Sequence, residues 1–132
     1  MYLLDTNICI YLIKKQPPRV LGQLMERQSS EVGLSVVTLS ELAYGAQKSS
    51  APEKNRSALE LFIAPFQVFE YSLEASFIYG EVRASLEKKG TPIGAMDLMI
   101  AAHALALGAI LVSNNLREFR RVHGLTTENW AR

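Results

Sequence analysis

One cysteine, Cys9, stands among 132 residues, so no internal disulfide is possible. Its apolar surroundings make it a small core residue rather than a reactive thiol. The only histidines are His103 and His123, and no Cys/His cluster is present to hold zinc. No apolar run approaches the roughly 18 residues that a membrane span needs. The opening MYLLDTN is not expected to be a secretory leader, because an acid stands at position 5 and no basic residue precedes the apolar run. Neither sign of charge dominates: 14 Lys and Arg face 13 Asp and Glu, a net charge of +1 that argues neither for nor against a nucleic-acid partner. There is no internal repeat and no low-complexity segment. What is present is the composition of an ordinary soluble globule, 48% hydrophobic and 20% charged, at the length of one domain. A reducing cytoplasm fits it, and residues 1–132 are expected to form a single domain.

Short continuous apolar runs alternate with helical stretches. Met1 to Leu4 reads as a buried strand. Thr6 is placed to cap a helix to about Lys15, stopped by Pro17-Pro18, and Pro18 suits the first turn of a helix to about Gln28. Val32 to Val37 reads as a second strand. Thr38-Leu39-Ser40-Glu41 then has the spacing of a capping box, opening a helix to about Lys48. A helix from Pro52 to about Ala64 precedes a third strand, Phe66 to Tyr71. Ser72 caps a long helix that Gly90 ends. After the loop Thr91 to Gly94, Ala95 to Leu107 is apolar nearly all round except for Asp97 and His103, as buried helices are. Ala109 to Val112 is a fourth strand, Ser113 to Glu118 a polar loop, and Leu125 to Thr127 a weak fifth strand. Unalternated apolar strands separated by helices predict an α/β fold with a parallel sheet covered on both faces.

In such sheets ligands bind beyond the carboxyl ends of the strands. Asp5 ends the first strand, Glu41 lies early in the helix after the second, and Asn115 follows the fourth. Asp97 joins them if its helix starts at the same edge, the one placement that pattern leaves open. Each has a plain structural role available: a helix cap for Asp5, half of a capping box for Glu41, a dipole partner for Asp97, a turn former for Asn115. His103 reads as a hydrogen-bonded packing residue and His123 as a loop residue. Together the acids ask for more. Three carboxylates at one sheet edge repel one another, and burial raises their pKa values. A cation among them removes the conflict, and an all-oxygen ligand set suits Mg²⁺ or Mn²⁺. A water bound to such an ion can become the nucleophile of phosphodiester hydrolysis. If three of the 13 acids share that pocket, 14 basic groups face 10 acidic ones elsewhere, a mild positive surround for a polyanion.

LLDTN at 3–7, TLSELAYGA at 38–46, KKGTPIGAMDLMIAAHA at 88–104 and LVSNNLREFRRVHGL at 111–125 resemble the successive motifs of PIN-domain ribonucleases. More narrowly, they are similar to the VapC toxins of bacterial type II toxin–antitoxin systems. The resemblance runs through the whole chain in order, and the four motifs together carry it. It implies an α/β/α sandwich around a mostly parallel sheet of four to five strands, with acids gathered at one edge. On matching positions, Asp5 and Asp97 correspond to metal-binding aspartates and Glu41 to the glutamate of the second motif. Thr6 or Asn7 would steady Asp5 by hydrogen bonds, with Ser113 as a further supporting neighbour. Asn115 falls where many members carry a fourth acid. An amide adds no charge, so a single Mg²⁺ is expected, with Mn²⁺ able to substitute.

The resemblance further implies a cytoplasmic endoribonuclease that inhibits translation by cutting RNA. Anticodon loops of tRNA are the favoured substrate, initiator tRNA among them. Arg117, Arg120 and Arg121 form the best candidate phosphate-binding cluster, weighed evenly against a solvated helix face. The implied partners are a second copy of the chain and a VapB-type antitoxin, with operator DNA reached only through that antitoxin. The helices at 52–64 and 72–89 offer candidate surface for these partners, although Tyr44, Phe62 and Phe77 equally suit a core. A phosphotransferase with an aspartate nucleophile also begins with a strand ending in Asp, but it needs a second Asp where Asn7 stands. A non-catalytic scaffold is disfavoured by the presence of both Asp5 and Asp97.

Overall fold

Tyr2–Leu4 forms the central strand, β1, of a five-stranded sheet in the computed structural model, which describes residues 1–132. The chain continues through α1 (Thr6–Lys14), α2 (Pro18–Met25), β2 (Val32–Ser35), α3 (Val36–Gln47), α4 (Pro52–Ile63), β3 (Gln67–Phe69) and α5 (Leu73–Lys88). It ends with α6 (Ala95–Leu107), β4 (Ile110–Val112), α7 (Leu116–Phe119) and β5 (Thr127–Glu128). The strand order is β3-β2-β1-β4-β5 and every pairing is parallel, with Leu3 between Gly33 and Leu111. The chain builds outward from β1 to β3 on one side, then crosses to the other for β4 and β5. The strand order therefore switches between β1 and β4, where open parallel sheets leave a crevice at their carboxyl edge.

Alternation along the strands sorts the core into two layers. Leu3 and Leu111 pack with Leu98, Ala101 and Ala104 of α6 and Leu86 of α5. Leu4, Leu34 and Val112 pack on the opposite face with Ile8, Cys9 and Leu12 of α1, Val20 of α2 and Leu59 of α4. Cys9 is fully buried there, as its apolar context predicts. Gly33 answers a specific crowding: a Cβ at that position would lie 2.6 Å from the Phe69 ring. Arg27 lies over both Tyr2 and Trp130, 4.6 Å from each ring centroid, and clips the start of β1 to the end of the chain.

Several element ends differ from the sequence reading. Asp5, not Thr6, caps α1, because its carboxylate reaches the Ile8 N–H while Thr6 already lies within the helix. Lys15 closes α1 in the left-handed conformation, at φ 58°. α2 stops at Met25, and a 3-10 turn at Ser29–Glu31 leads into β2. β2 ends two residues short of Val37. Ser35 caps α3 by accepting from the Val37 N–H, so the expected capping box at Thr38–Glu41 does not form, and Thr38 is buried inside the helix. β3 is shorter than Phe66–Tyr71, β4 begins at Ile110, and β5 lies at Thr127–Glu128. The loop expected at Ser113–Glu118 contains the start of α7. No helix is long and apolar enough to cross a membrane.

Candidate active site

A single residue, Asp5, separates β1 from α1, and the chain must turn there from strand to helix. The Asp5 N–H donates to the Val112 carbonyl of β4 at 3.0 Å, which seats the residue at the switch between the two strands. Its carboxylate accepts from the Ile8 N–H at 2.9 Å, and the Ser113 side chain is close enough to favour its ionised form. Only 4% of Asp5 is exposed. Burial pushes its pKa from 3.8 up to about 6, against the opposing pull of the Ser113 side chain and the Ile8 N–H, and the charges of Asp97 and Glu41 add to the rise. Cys9, one turn along α1, is buried and its thiol pKa is raised by that burial and then by Asp5, so it offers no thiolate.

Asp97 comes from the first turn of α6. Only Gly108 and Ala109 connect that helix to β4, so α6 must run back along the sheet and start at its carboxyl edge. This settles the placement that spacing leaves open. The Asp97 pKa is raised by burial first, then by Glu118 and Glu41. Glu41 lies in the second turn of α3, and its carboxylate accepts a hydrogen bond from the Thr6 hydroxyl. Thr6 therefore steadies Glu41 and not Asp5, because its place in the first turn of α1 turns its hydroxyl toward α3. Asn7 is exposed.

Ser113 is fully buried and accepts from the Asn115 N–H at 2.8 Å, which fixes the exit of β4. Asn115 lies at the rim, where Arg117 and Arg120 flank an open cleft. Arg121 leaves this group: its guanidinium donates to the Pro92 carbonyl at 2.9 Å, across the chain, and holds the loop that launches α6. The fourth acid is Glu118, three residues beyond Asn115. The sequence reading misses it because α7 is read as loop, whereas in the fold the Glu118 charge acts on Asp97 and raises its pKa.

The acids lack basic partners. The ion pairs of the molecule are Arg27–Glu128, Arg56–Glu60 and Arg83–Glu87, all elsewhere. Desolvated, mutually repelling carboxylates with oxygen donors alone fit a hard divalent cation. No three of them converge into a ready-made three-ligand cage, since Glu41 is engaged by Thr6. The expected ligand trio of Asp5, Asp97 and Glu41 is not assembled around one point as the side chains stand.

His103, six residues along α6 from Asp97, is fully buried with its Nδ1 2.7 Å from Ser35 Oγ. It braces α6 against the cap of α3, in keeping with a hydrogen-bonded packing residue. Tyr71 stacks edge-on to its ring. Of the aromatic residues read two ways, Tyr44 and Phe77 are exposed and Phe62 is partly buried.

Known proteins agree with this architecture. The PIN domain family matches residues 2–125. Ribonuclease VapC2 of Rickettsia felis is 43% identical over 131 residues, covering 98% of each chain. A tRNA(fMet)-specific endonuclease VapC of Salmonella typhimurium is 44% identical over 129 residues, covering 98% of this chain and 97% of the relative. The crystal structure of DNA-bound VapBC from Salmonella typhimurium contains a chain that superposes with a TM-score of 0.92 at 44% identity, over 98% of this chain and 97% of that one. PIN-domain nucleases depend on divalent metal ions, which the donor set of this site fits. With its parallel sheet, its acids at the switch point and relatives aligned end to end, the chain belongs to the PIN-domain family, among the VapC ribonucleases.

Proposed function

We propose that the chain is the toxin of a type II toxin–antitoxin pair: a cytoplasmic, Mg²⁺-dependent endoribonuclease that cuts tRNA in the anticodon loop and so stops translation. The observation that carries this reading is the gathering of Asp5, Glu41, Asp97 and Glu118 at the β1/β4 switch point without a basic partner. In it, Asp5 and Asp97 hold Mg²⁺, with Mn²⁺ able to replace it. When bound there, such an ion would supply charge stabilisation at the phosphate and lower the pKa of a water. Glu41, oriented by the Thr6 hydroxyl, is the group placed to receive the proton of the attacking water. Ser113 and the Ile8 N–H keep Asp5 in one orientation. Asn115 lines the rim as a neutral hydrogen-bonding group, and the charge assigned to its position comes instead from Glu118.

The Salmonella typhimurium relative is named for action on tRNA(fMet), which supports initiator tRNA as the substrate class. Loops of RNA present unstacked bases and an accessible backbone, as a shallow site at a sheet edge requires. The VapBC complexes among the structural relatives, two of them DNA-bound, support a VapB-type antitoxin as partner; the reading adds a homodimer of this chain within a larger complex that reaches operator DNA through the antitoxin. A groove of about 390 Å³ runs from Glu41 between α1, α3 and α4, lined by Ile10, Ile13, Leu42 and Leu59. It is an apolar seat that ends at the acids, suited to an inhibitory segment.

The test is a cleavage assay of the antitoxin-free chain on total tRNA with Mg²⁺. Discrete fragments are expected, and they should disappear with EDTA and with Asp5→Asn. Intact tRNA, with a folded protein that binds the ion, would overturn the tRNA assignment.

A further inference from the structure

We propose that a cleft beside the acids, walled by Arg117, Arg120 and Arg132, is a binding subsite for the phosphate backbone of single-stranded RNA. The cleft has a volume of about 560 Å³ and its remaining polar walls are Asn114, Asn115 and Asn129. It adjoins the acids through the chain itself: Asn115, on its wall, donates its N–H to the Ser113 hydroxyl at 2.8 Å, and Val112, the residue before Ser113, accepts from the Asp5 N–H at 3.0 Å.

The charged side chains that line it are all basic: no Asp or Glu is among them, and none of the three arginines forms an ion pair within the chain. Of the nearby acids, Glu128 is engaged elsewhere, 3.6 Å from Arg27 and accepting from the Trp130 indole, and Glu118 is not among the lining residues. Arg121 takes no part, since Pro92 occupies it. The positive cluster that the sequence places at Arg117, Arg120 and Arg121 is thus re-formed with Arg132 in place of Arg121.

The walls are also held in place. Asn114 donates to the Tyr11 hydroxyl at 3.1 Å and accepts from Asn129 at 3.0 Å, and Asn129 in turn accepts from the Ala131 N–H at 2.8 Å. Guanidinium and amide donors on a fixed frame match phosphate oxygens, which take most of the hydrogen bonds in nucleic-acid complexes. The one apolar lining residue is Leu116, and no aromatic ring offers a stacking surface. The cleft therefore engages the backbone and not the bases. It fixes the strand so that the adjoining phosphodiester lies over Asp5 and Asp97.

The proposal rests on the ribonuclease reading, and the experiment separates the two. A fluorescent ten-nucleotide oligouridylate is titrated, in EDTA, into the Asp5→Asn chain, with Arg117→Ala/Arg120→Ala or Arg121→Ala added. Removing two phosphate contacts should weaken binding about tenfold or more and flatten the salt dependence of log Kd by about 1.4, at about 0.7 per phosphate on a single strand. Arg121→Ala should leave both unchanged and lower the melting temperature. Unchanged affinity and salt slope in the double variant, with the parent still cleaving RNA in Mg²⁺, would overturn the subsite alone. Tighter binding of a decaglutamate peptide than of the oligonucleotide would also overturn it, in favour of an acidic protein partner. A parent chain that neither binds nor cleaves RNA would overturn the ribonuclease reading together with the subsite.

Discussion

Asp5 concentrates the tension of the site in one side chain. A carboxylate with a pKa of 3.8 in an open chain and about 6 in the fold opposes folding whenever it is ionised, by roughly 3 kcal/mol at full ionisation. The sign follows from proton uptake. Between pH 3.8 and 6 the folded state binds more protons than the unfolded state, so stability from this residue falls as pH rises through that window and stays low above it. Asparagine keeps the cap to the Ile8 N–H and cannot ionise. Asp5→Asn is therefore expected to melt several degrees above the parent in EDTA at pH 7.5 while losing RNA cleavage altogether. The gain should shrink as pH falls from about 6 toward 3.8, read by melting curves across that range. A melting point at or below the parent's at every pH would show that Asp5 is a structural cap and no more. The position of Asp5 is legible in the sequence, because a short continuous apolar run that gives way to a helical pattern reads as a buried strand. The partner of Thr6 is not legible, since it depends on where α3 passes, and that is set by packing.

Among the elements, α3 shows most clearly what local pattern misses. Thr38 and Glu41 have the spacing of a capping box, yet Ser35 caps the helix one turn earlier. Ser35 prevails because β2 stops where its pairing with β3 stops, at Ser35–Phe69, and the chain is then free to turn. Val36 and Val37 read as strand by composition, and only tertiary context puts them in a helix. α7 is missed for the opposite reason: four residues are too few to give a period. With it goes Glu118. Glu118→Gln removes a charge beside Asp97 while leaving Asp5 and Asp97 in place. It should lower kcat/KM for tRNA about tenfold or more and leave the melting temperature within about 2 °C, measured by initial rates and thermal scans. The brace between α3 and α6 gives a further expectation. Burial holds the His103 pKa below 6.5, against an opposing contact from the Glu70 main chain, and no partner of good geometry meets its Nε2. As pH falls below 6.5 the unfolded state takes up the proton first, so the stability that the neutral imidazole gives through Ser35 is lost on acidification. His103→Gln should be less stable than the parent at pH 7.5 by about 1–3 kcal/mol. The gap should narrow toward pH 5 in chemical denaturation, and a constant gap would show that His103 has the same pKa in the folded and unfolded states.

At the scale of the whole molecule, the topology does what no single motif does. Five parallel strands with a switch between β1 and β4 bring residues 5, 41, 97 and 118 to one edge. Alternating apolar runs and helices make that architecture legible, and the carboxyl-edge rule then selects the acids. The detailed order in which the side chains meet depends on helix ends and is not legible. The molecule holds these charges together without a counter-ion of its own, so an added divalent cation has to stabilise the whole fold by mass action. Mg²⁺ at a hundred times its Kd would contribute about 2.7 kcal/mol, several degrees for a chain of this size. The gain should be absent in Asp5→Asn and Asp97→Asn. It should also depend on pH, because the ion must displace the proton that Asp5 holds below about 6. Thermal scans with and without 5 mM Mg²⁺ are expected to show a shift at pH 7.5 that largely vanishes at pH 5. A shift of equal size at both pH values, or one retained by Asp5→Asn, would place the ion away from the switch point and remove the physical reason for gathering four acids there.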